Sequence, residues 1–356
     1  MSLQPLRMID ANFNRSSEGL RFLEDVARFI LNDTALTQQL KNMRHNLANE
    51  AKSLGIKLLS QRDSEHDVGI STEAIPQQDL AGVITANAKR VEESLRVIEE
   101  LAKLAEISPM LDAARFQQAR FALYALEQEL VSRILRQDKL KQLTGLYVIL
   151  DKQTLADRDV LEIASQVIQG GARVIQFRDK QSARRELLPV CQKLKDLCAR
   201  STTLLIINDY LDLALAVDAD GLHVGQKDLP LPVVRREMPL DKIVGCSVTT
   251  VPQAVKAQKE GADYIAVGSI FPTATKEDIT ILGLDRLEQI RQAVSSPLVA
   301  IGGISEDNIE QVVAAGADSV AVISAVLSKE DVKTATQRLT TKIDLVKEKC
   351  HNRQKI

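Results

Sequence analysis

Eight short apolar segments, separated by amphipathic helical stretches, occupy the chain from residue 143 onward. Their nearly continuous apolar runs are typical of parallel strands that are buried on both faces. Strands that alternate with helices predict an α/β fold, and eight such units in about 200 residues predict a closed (β/α)₈ TIM barrel near the lower size limit of that fold. An open doubly wound sheet is the alternative, but no G-x-G-x-x-G segment opens the first unit. The expected strands are residues 145–151, 173–180, 203–209, 221–226, 243–248, 264–270, 297–303 and 319–325.

The first part of the chain has a different pattern, because glycine is rare there and apolar residues recur at helical spacing. This pattern predicts a separate all-α domain over residues 1–140, followed by the barrel domain over residues 141–356. Residues 11–27 and 86–102 are identical at eight of 17 aligned positions, whereas chance gives about one. The all-α domain is therefore expected to be a duplicated helical unit, in which each repeat helix pairs with a second helix, near residues 36–54 and 110–135.

The polar residues of the repeat admit two interpretations. They form either a solvated face with weak ion pairs, or a groove in which two symmetric helices present Asn, Arg and Glu side chains to one anionic ligand. The repeat favours the groove, because solvated charges need not keep the same residue at the same register. The candidate groove residues are Asn12, Arg15, Arg21, Asn87, Arg90 and Arg96. Between the repeats, the polar segment 60–82 is expected to be irregular, with residues 62–69 as a lid for a phosphate or a metal.

Charge and composition exclude several classes of protein. Lys and Arg total 46 against 48 Asp and Glu, and the chain has no Trp, which argues against a nucleic-acid binder. No apolar run reaches about 18 residues, so no membrane span is expected. The four cysteines form no C-x-x-C pair, which argues against structural zinc and a disulfide framework. Since no apolar leader segment opens the sequence, we expect a cytoplasmic protein.

Polar residues follow the ends of the expected strands, where TIM-barrel enzymes carry their chemistry. Gln176, Arg178 and Lys180 share one face of the second strand, and two neighbouring cations there indicate a polyanionic ligand. Asp209 ends the third strand and Asp228 follows the fourth, so the two carboxylates are expected to hold Mg²⁺ bridged by a diphosphate. Asp228 also has a simpler interpretation, as the N-cap of the helix that follows.

The remaining strand ends have the features of a monophosphate site. The loop after the sixth strand, residues 271–276, supplies hydroxyls, amides and a cation. Gly303 and Ser324 lie at the ends of the seventh and eighth expected strands, and the loops after these strands frequently bind phosphate in this fold. Glycine lets backbone N–H groups approach such a ligand. We therefore expect two anion subsites at the mouth, one for a diphosphate with its metal and one for a monophosphate.

These strand ends resemble a known family, the thiamine phosphate synthases. Residues 143–345 contain the family's motifs in order and spacing: QFRDK (176–180), IIND (206–209), DGLHVGQKD (220–228), GSIFPTATK (268–276), IGGI (301–304) and VISA (322–325). The resemblance implies a Mg²⁺-dependent transferase that joins hydroxymethylpyrimidine diphosphate to a thiazole phosphate carboxylate and releases pyrophosphate. The implied mechanism is dissociative, because pyrophosphate leaves first and the thiazole nitrogen then attacks a pyrimidine carbocation.

The resemblance also implies a role for each matching residue. The implied metal ligands are Asp209 and Asp228, and the implied catalytic residues are Arg178, Lys180, Ser247 and Lys276. The implied pyrimidine-diphosphate contacts are Gln176, Phe177, Arg178, Asp179, Lys180, Asn208, Ser247 and Lys276. The implied thiazole-phosphate contacts are Thr273, Ala274, Thr275, Gly303, Ile323 and Ser324. A thiazole tautomerase of the same fold is disfavoured, because it relies on a histidine near Thr249 that this chain lacks.

Residues 5–135 resemble a helical domain that is found fused to such synthases and is associated with hydroxymethylpyrimidine phosphate kinase activity. The matching stretches are residues 10–29, 40–47 and 62–69. The resemblance implies two consecutive steps on one chain, with ATP as one candidate phosphate donor. The alternative is a non-catalytic scaffold or dimerisation module, and a homo-oligomer is left open.

Overall fold

The computed structural model describes residues 4–55, 58, 79–273 and 280–353. Their contacts divide them into two units, one up to Leu135 and the other from Arg136 onward. Residues 136–140, which composition assigned to the first domain, are grouped with the second unit because they bind there. Arg136 donates to the carbonyl of Leu240 (3.1 Å), and Lys139 donates to the carboxylate of Asp241 (2.9 Å).

Helices form the described part of the first unit. They are α1 (Gln4–Asp25), which continues into a π-helical turn (Val26–Ile30), α2 (Thr34–Leu54), α3 (Leu80–Leu101) and α4 (Ala113–Gln142). The two repeats lie on α1 and α3, and the expected partner helices are α2 and α4. Asp33 and Asp79 cap α2 and α3 by accepting backbone N–H bonds of 2.8 and 2.7 Å. The proposed lid, residues 62–69, lies outside the described residues.

Close approach of α1 to α3 depends on a glycine. A Cβ at Gly19 would lie 2.5 Å from the side chain of Val91, so a larger residue would push the helices apart. The buried side chains of this unit include Leu20, Leu95 and Leu123, which are fully enclosed. The duplicated helices thus pack directly on one another, and the apolar stripes read from the sequence form the core between the helices.

The second unit is a closed barrel of parallel strands, as the sequence predicts, and the open-sheet alternative is wrong. The strands are β1 (Gly145–Asp151), β2 (Val174–Arg178), β3 (Leu204–Asn208), β4 (Gly221–Val224), β5 (Ile243–Val248), β6 (Tyr264–Val267), β7 (Leu298–Ile301) and β8 (Ser319–Val322). Each strand pairs with the next, and β8 pairs with β1, with Leu146 opposite Val320. Several strands end earlier than expected, because the polar residues at their carboxyl ends belong to the loops.

Helices follow the strands around the outside of the barrel. They are α5 (Lys152–Leu155), α6 (Val160–Gln169), α7 (Arg184–Ala199), α8 (Leu211–Ala216), α9 (Leu231–Glu237), α10 (Val251–Lys259), α11 (Gly283–Ala293), α12 (Ile309–Ala314), α13 (Ser324–Leu327) and α14 (Val332–Arg353). Gly261 and Gly316 have φ values of 93° and 99°, so each follows its helix in a positive-φ conformation that glycine adopts readily. Within the described residues, no helix is long and apolar enough to cross a membrane.

Alternation along the strands separates two apolar layers. Ile175 and Phe177 point outward and pack against the surrounding helices. Val174, Ile206 and Tyr264 point inward and fill the centre of the barrel. The residues two positions further along each inward face therefore reach the mouth at the carboxyl ends of the strands.

Candidate active site

A chain of hydrogen bonds crosses the barrel interior below its mouth. Gln176 Nε2 donates to the hydroxyl of Tyr147 (2.7 Å), which lies 3.0 Å from the hydroxyl of Tyr264. The Nδ1 atom of His223 is 3.0 Å from that second hydroxyl, and its Nε2 atom is 2.8 Å from Ser247 Oγ. Because buried polar groups are stable only when they are hydrogen-bonded, the network holds Gln176 and Ser247 in fixed positions at opposite ends.

Burial keeps the two tyrosines of this network uncharged. It raises the pKa of both Tyr147 and Tyr264 well above the ordinary value of 10.0. Both hydroxyls therefore keep their protons at neutral pH, and each can donate one hydrogen bond while accepting others. The network positions its neighbours and carries no net charge of its own when His223 is neutral.

Charged side chains gather where β2, β3 and β4 end. Lys180 Nζ lies 3.0 Å from Asp209 Oδ2, and the carboxyl group of Asp228 is near enough to raise the pKa of Asp209. The pKa of Asp209 is raised overall. Burial raises it most, Lys180 lowers it, and the nearby Asp228 raises it further. Asp228 accepts from the backbone N–H of Gly225 (2.8 Å), and α9 begins after Pro230 with no side-chain cap, so the N-cap interpretation of Asp228 is wrong.

A further ion pair lies at the same end of the barrel. Arg178, the last residue of β2, pairs with Asp151, the last residue of β1. Asp151 is almost fully buried and also accepts from the backbone and hydroxyl of Thr154 (3.2 and 3.0 Å). These contacts fix the guanidinium of Arg178 at the rim, with further N–H donors left to bind a ligand.

Two residues of the QFRDK motif do not turn their side chains to the mouth. Phe177 points into the layer between strands and helices, because it alternates with the inward residues Gln176 and Arg178. Asp179 accepts hydrogen bonds from its own loop, at Gln181 N (2.8 Å) and at Ser182 N and Oγ (3.0 and 2.8 Å). The structure therefore places Asp179 as a support of the loop that carries Lys180.

The other side of the mouth, where the sequence predicts a monophosphate site, is a cavity of about 1010 Å³. Its walls include Ser247, Thr273, Gly303, Ile323 and Ser324, all of which were expected to bind substrate. The cavity also reaches Gln226 and, on α14, Arg338.

Gly303 is required at the base of this cavity. Its φ is 64°, and a Cβ there would lie 2.3 Å from the carbonyl oxygen of Pro272. Asn208 ends β3 on the side of Asp209 and does not line this cavity. Ala274, Thr275 and Lys276 lie outside the described residues.

The expected N-terminal groove residues separate into two sets. Asn12, Arg15, Asn87 and Arg90 line one cavity of about 560 Å³ between α1 and α3. Arg21 and Arg96 are not among its lining residues. They form ion pairs on their own helices instead: Arg21 lies 3.7 Å from Asp25 and 4.0 Å from Glu24, and Arg96 lies 2.8 Å from Glu99.

Sequence reasoning missed four residues that build the barrel site: Tyr147, Asp151, His223 and Tyr264. Each lies on the inward face of its strand, and extending the period-of-two alternation used for β2 to β1, β4 and β6 would have found them.

The oxygen ligands at the mouth fit Mg²⁺. Among the described residues no group of three or more His, Cys, Asp or Glu side chains is placed to hold a metal. Mg²⁺ usually takes one or two carboxylates and completes its shell with water and substrate phosphates. Asp209 and Asp228 supply two carboxyl groups, near enough for Asp228 to raise the pKa of Asp209, and two such oxygen ligands match that donor set.

The closed TIM barrel carries cations and two carboxylates on one side of its mouth and a glycine-lined cavity on the other. These features are typical of enzymes that act on phosphorylated small molecules. The family described as Thiamine monophosphate synthase matches residues 146–326, and the ThiD2 family matches residues 7–129. The chain belongs to the thiamine phosphate synthase family, whose members are transferases.

Relatives and one solved structure support this membership. Thiamine-phosphate synthase of Thermosynechococcus vestitus is 38% identical over 95% of this chain and 94% of its own length. The protein of the same name from Synechocystis is 37% identical over 96% of each chain. The solved thiamine phosphate pyrophosphorylase of Pyrococcus furiosus is 39% identical, with a TM-score of 0.54, and covers 58% of this chain and 98% of its own.

Proposed function

We propose that the barrel joins hydroxymethylpyrimidine diphosphate to a thiazole phosphate carboxylate, forming thiamine phosphate and pyrophosphate. The observation that carries this proposal is the arrangement of the mouth: Arg178, Lys180 and the Asp209–Asp228 pair lie at one group of strand ends, and a glycine-lined cavity lies at the other. The first group suits a diphosphate and the second suits a monophosphate.

Each part of the mouth has a task in this reaction. Arg178 and Lys180 bind the diphosphate and stabilise the charge that develops as pyrophosphate leaves. Gln176 and Ser247, held by the buried network, orient the pyrimidine so that the thiazole nitrogen meets its reacting carbon. Lys276 is proposed from its sequence motif alone, as a further cation for the departing pyrophosphate.

The metal belongs to the diphosphate side. Asp209 and Asp228 would hold Mg²⁺, and the bound ion would neutralise part of the leaving-group charge. Lys180 already forms an ion pair with Asp209. Asp209 would therefore contact both the ammonium group of Lys180 and the bound Mg²⁺.

A specific observation favours a second activity, phosphorylation of hydroxymethylpyrimidine phosphate by the N-terminal unit. The ThiD2 family matches residues 7–129, and α1 and α3 enclose a groove with arginines at equivalent positions. This activity would supply the diphosphate that the barrel consumes. A nucleoside triphosphate such as ATP is the proposed phosphate donor.

Titration of Mg²⁺ against the rate of thiamine phosphate formation tests the barrel proposal. We expect Asp209→Asn and Asp228→Asn to raise the Mg²⁺ concentration for half-maximal rate by about tenfold or more, because each removes a charged ligand. Asp212→Asn is the matched control, since that carboxylate is exposed on α8 and pairs only with Arg184 among the described residues. Absence of product in the wild-type chain would refute the proposed reaction, and an unchanged half-saturation in both variants would refute the metal assignment.

A further inference from the structure

The cavity between α1 and α3 is lined by the two halves of the repeat in matching fashion. Its walls take Asn12, Arg15, Glu18 and Gly19 from the first half and Asn87, Arg90, Glu93 and Ser94 from the equivalent positions of the second half, together with Val97. Asn, Arg and Glu therefore recur at equivalent positions of the two repeat halves, although solvent-exposed helix positions tolerate substitution.

The two arginines of this cavity differ from the other repeated pair. Within the described part of the chain, the guanidiniums of Arg15 and Arg90 form no ion pair or hydrogen bond. Arg21 and Arg96, which come from the same repeat, each pair with carboxylates on their own helix. Two guanidiniums on one cavity, without a carboxylate partner among the described residues, leave their N–H donors available to bind an anionic ligand.

The remaining polar groups define the rest of the ligand. Asn12 and Asn87 each donate from Nδ2 to the carbonyl one turn earlier (2.8 and 2.9 Å), which leaves both amide oxygens as acceptors. Glu18 and Glu93 add carboxylate acceptors to the same walls. A simple polyanion suits only the arginines, whereas a phosphate ester that also carries an amino group suits arginines, amide oxygens and carboxylates together.

We propose that this cavity is the substrate site of the N-terminal unit, and that Arg15 and Arg90 together bind the phosphate of one amino-substituted heterocyclic phosphate ester. The assignment rests on the kinase activity proposed above and names the residues that hold its acceptor substrate. Since the two halves contribute equivalent residues, the phosphate lies between them and neither arginine is sufficient alone.

Equilibrium binding of hydroxymethylpyrimidine phosphate to the full chain tests this site. All proteins carry Arg178→Ala and Lys180→Ala, so that the diphosphate side of the barrel does not compete for the probe. We expect Arg15→Ala and Arg90→Ala each to weaken binding by about tenfold or more, as loss of a charge-assisted hydrogen bond does. The control is the double variant Arg21→Ala/Arg96→Ala, which we expect to bind within about twofold of the background, since exposed helical ion pairs contribute little.

Turnover with a nucleoside triphosphate, measured on the same N-terminal variants, separates the site from the activity. If Arg15→Ala and Arg90→Ala weaken binding but no protein shows turnover, the proposed binding site is supported and the proposed kinase activity is refuted. If the proteins show turnover and both variants bind hydroxymethylpyrimidine phosphate as tightly as the background protein, the kinase activity is supported and the proposed binding site is refuted. Glu18→Gln/Glu93→Gln is expected to weaken hydroxymethylpyrimidine phosphate but not inorganic phosphate, and an equal loss for both probes would contradict the assigned amino contact.

Discussion

Asp179 accepts three hydrogen bonds within its own loop, between Arg178 and Lys180, the two residues proposed to bind the diphosphate. Burial alone would raise its pKa, but the N–H groups of Ser182 and Gln181 and the hydroxyl of Ser182 lower it below the ordinary 3.8. Because the pKa is lowered in the folded protein, the charged carboxylate stabilises the fold above 3.8, and that contribution is lost as the pH falls through the lowered value. The effect of Asp179 is thus first on the loop and through it on Lys180.

We predict that Asp179→Asn lowers the free energy of unfolding by about 1–2 kcal/mol at neutral pH, since an amide accepts these bonds less strongly. The difference from wild type shrinks as the pH falls below 3.8. Urea unfolding across that range measures it, with Asp212→Asn as the exposed control. A constant difference at all pH values would contradict the role given to the charge.

At the scale of elements, β5 and β6 show how a small residue makes room for the buried network. A Cβ on Gly245 would lie 2.0 Å from the ring of Tyr264 and 2.4 Å from its hydroxyl oxygen. Gly245 stands opposite Tyr264 in the pairing of these strands, so the ring lies across the backbone where a side chain would be. The tyrosine can then reach both His223 and Tyr147.

We predict that Gly245→Ala destabilises the protein by about 1–3 kcal/mol, the usual range for overpacking, and lowers kcat for thiamine phosphate formation. Tyr264→Phe is the companion variant, because it removes the hydroxyl and keeps the ring. Thermal unfolding and steady-state kinetics measure both effects. We expect a loss of kcat in both variants, and wild-type kcat in Tyr264→Phe would show that the network does not position the substrate.

At the scale of the whole molecule, the barrel carries the residues proposed for the synthase reaction, and the solved Pyrococcus furiosus protein matches over 98% of its own length while covering only 58% of this chain. The part of the chain that packs as the barrel begins within α4, because Arg136 and Lys139 bind residues that precede β5. Leu140 and Leu143 also pack with the residues inside the barrel. The last turns of α4 therefore belong to the barrel in packing.

We predict that residues 136–356 alone form thiamine phosphate with a kcat within about twofold of the full chain and have no kinase activity. Residues 143–356 are the matched comparison, since they lack the contacts of Arg136, Lys139 and Leu140. We expect their Tm to be lower, by about 2–4 °C for each kcal/mol of unfolding free energy lost in a domain of this size. Equal Tm values for the two segments would contradict the structural role of these residues.

The sequence by itself determined the architecture of both units, because the signals for it are local. The apolar runs of the strands and the helical stripes act within a few residues, and the repeat identified α1 and α3 directly. Alternation of side chains placed Gln176 and Arg178 on the inward face of β2, and polar residues at strand ends marked Lys180, Asp209 and Asp228.

Only the tertiary structure decided which side chains meet. Tyr147, His223 and Tyr264 come from strands far apart in the chain, and closure of the barrel brings their polar atoms within about 3 Å. Arg15 and Arg21 look alike in the sequence, yet one faces a cavity and the other pairs with Asp25. A sequence pattern sets the face on which a residue lies, whereas hydrogen bonds and ion pairs depend on distances between elements that packing alone establishes.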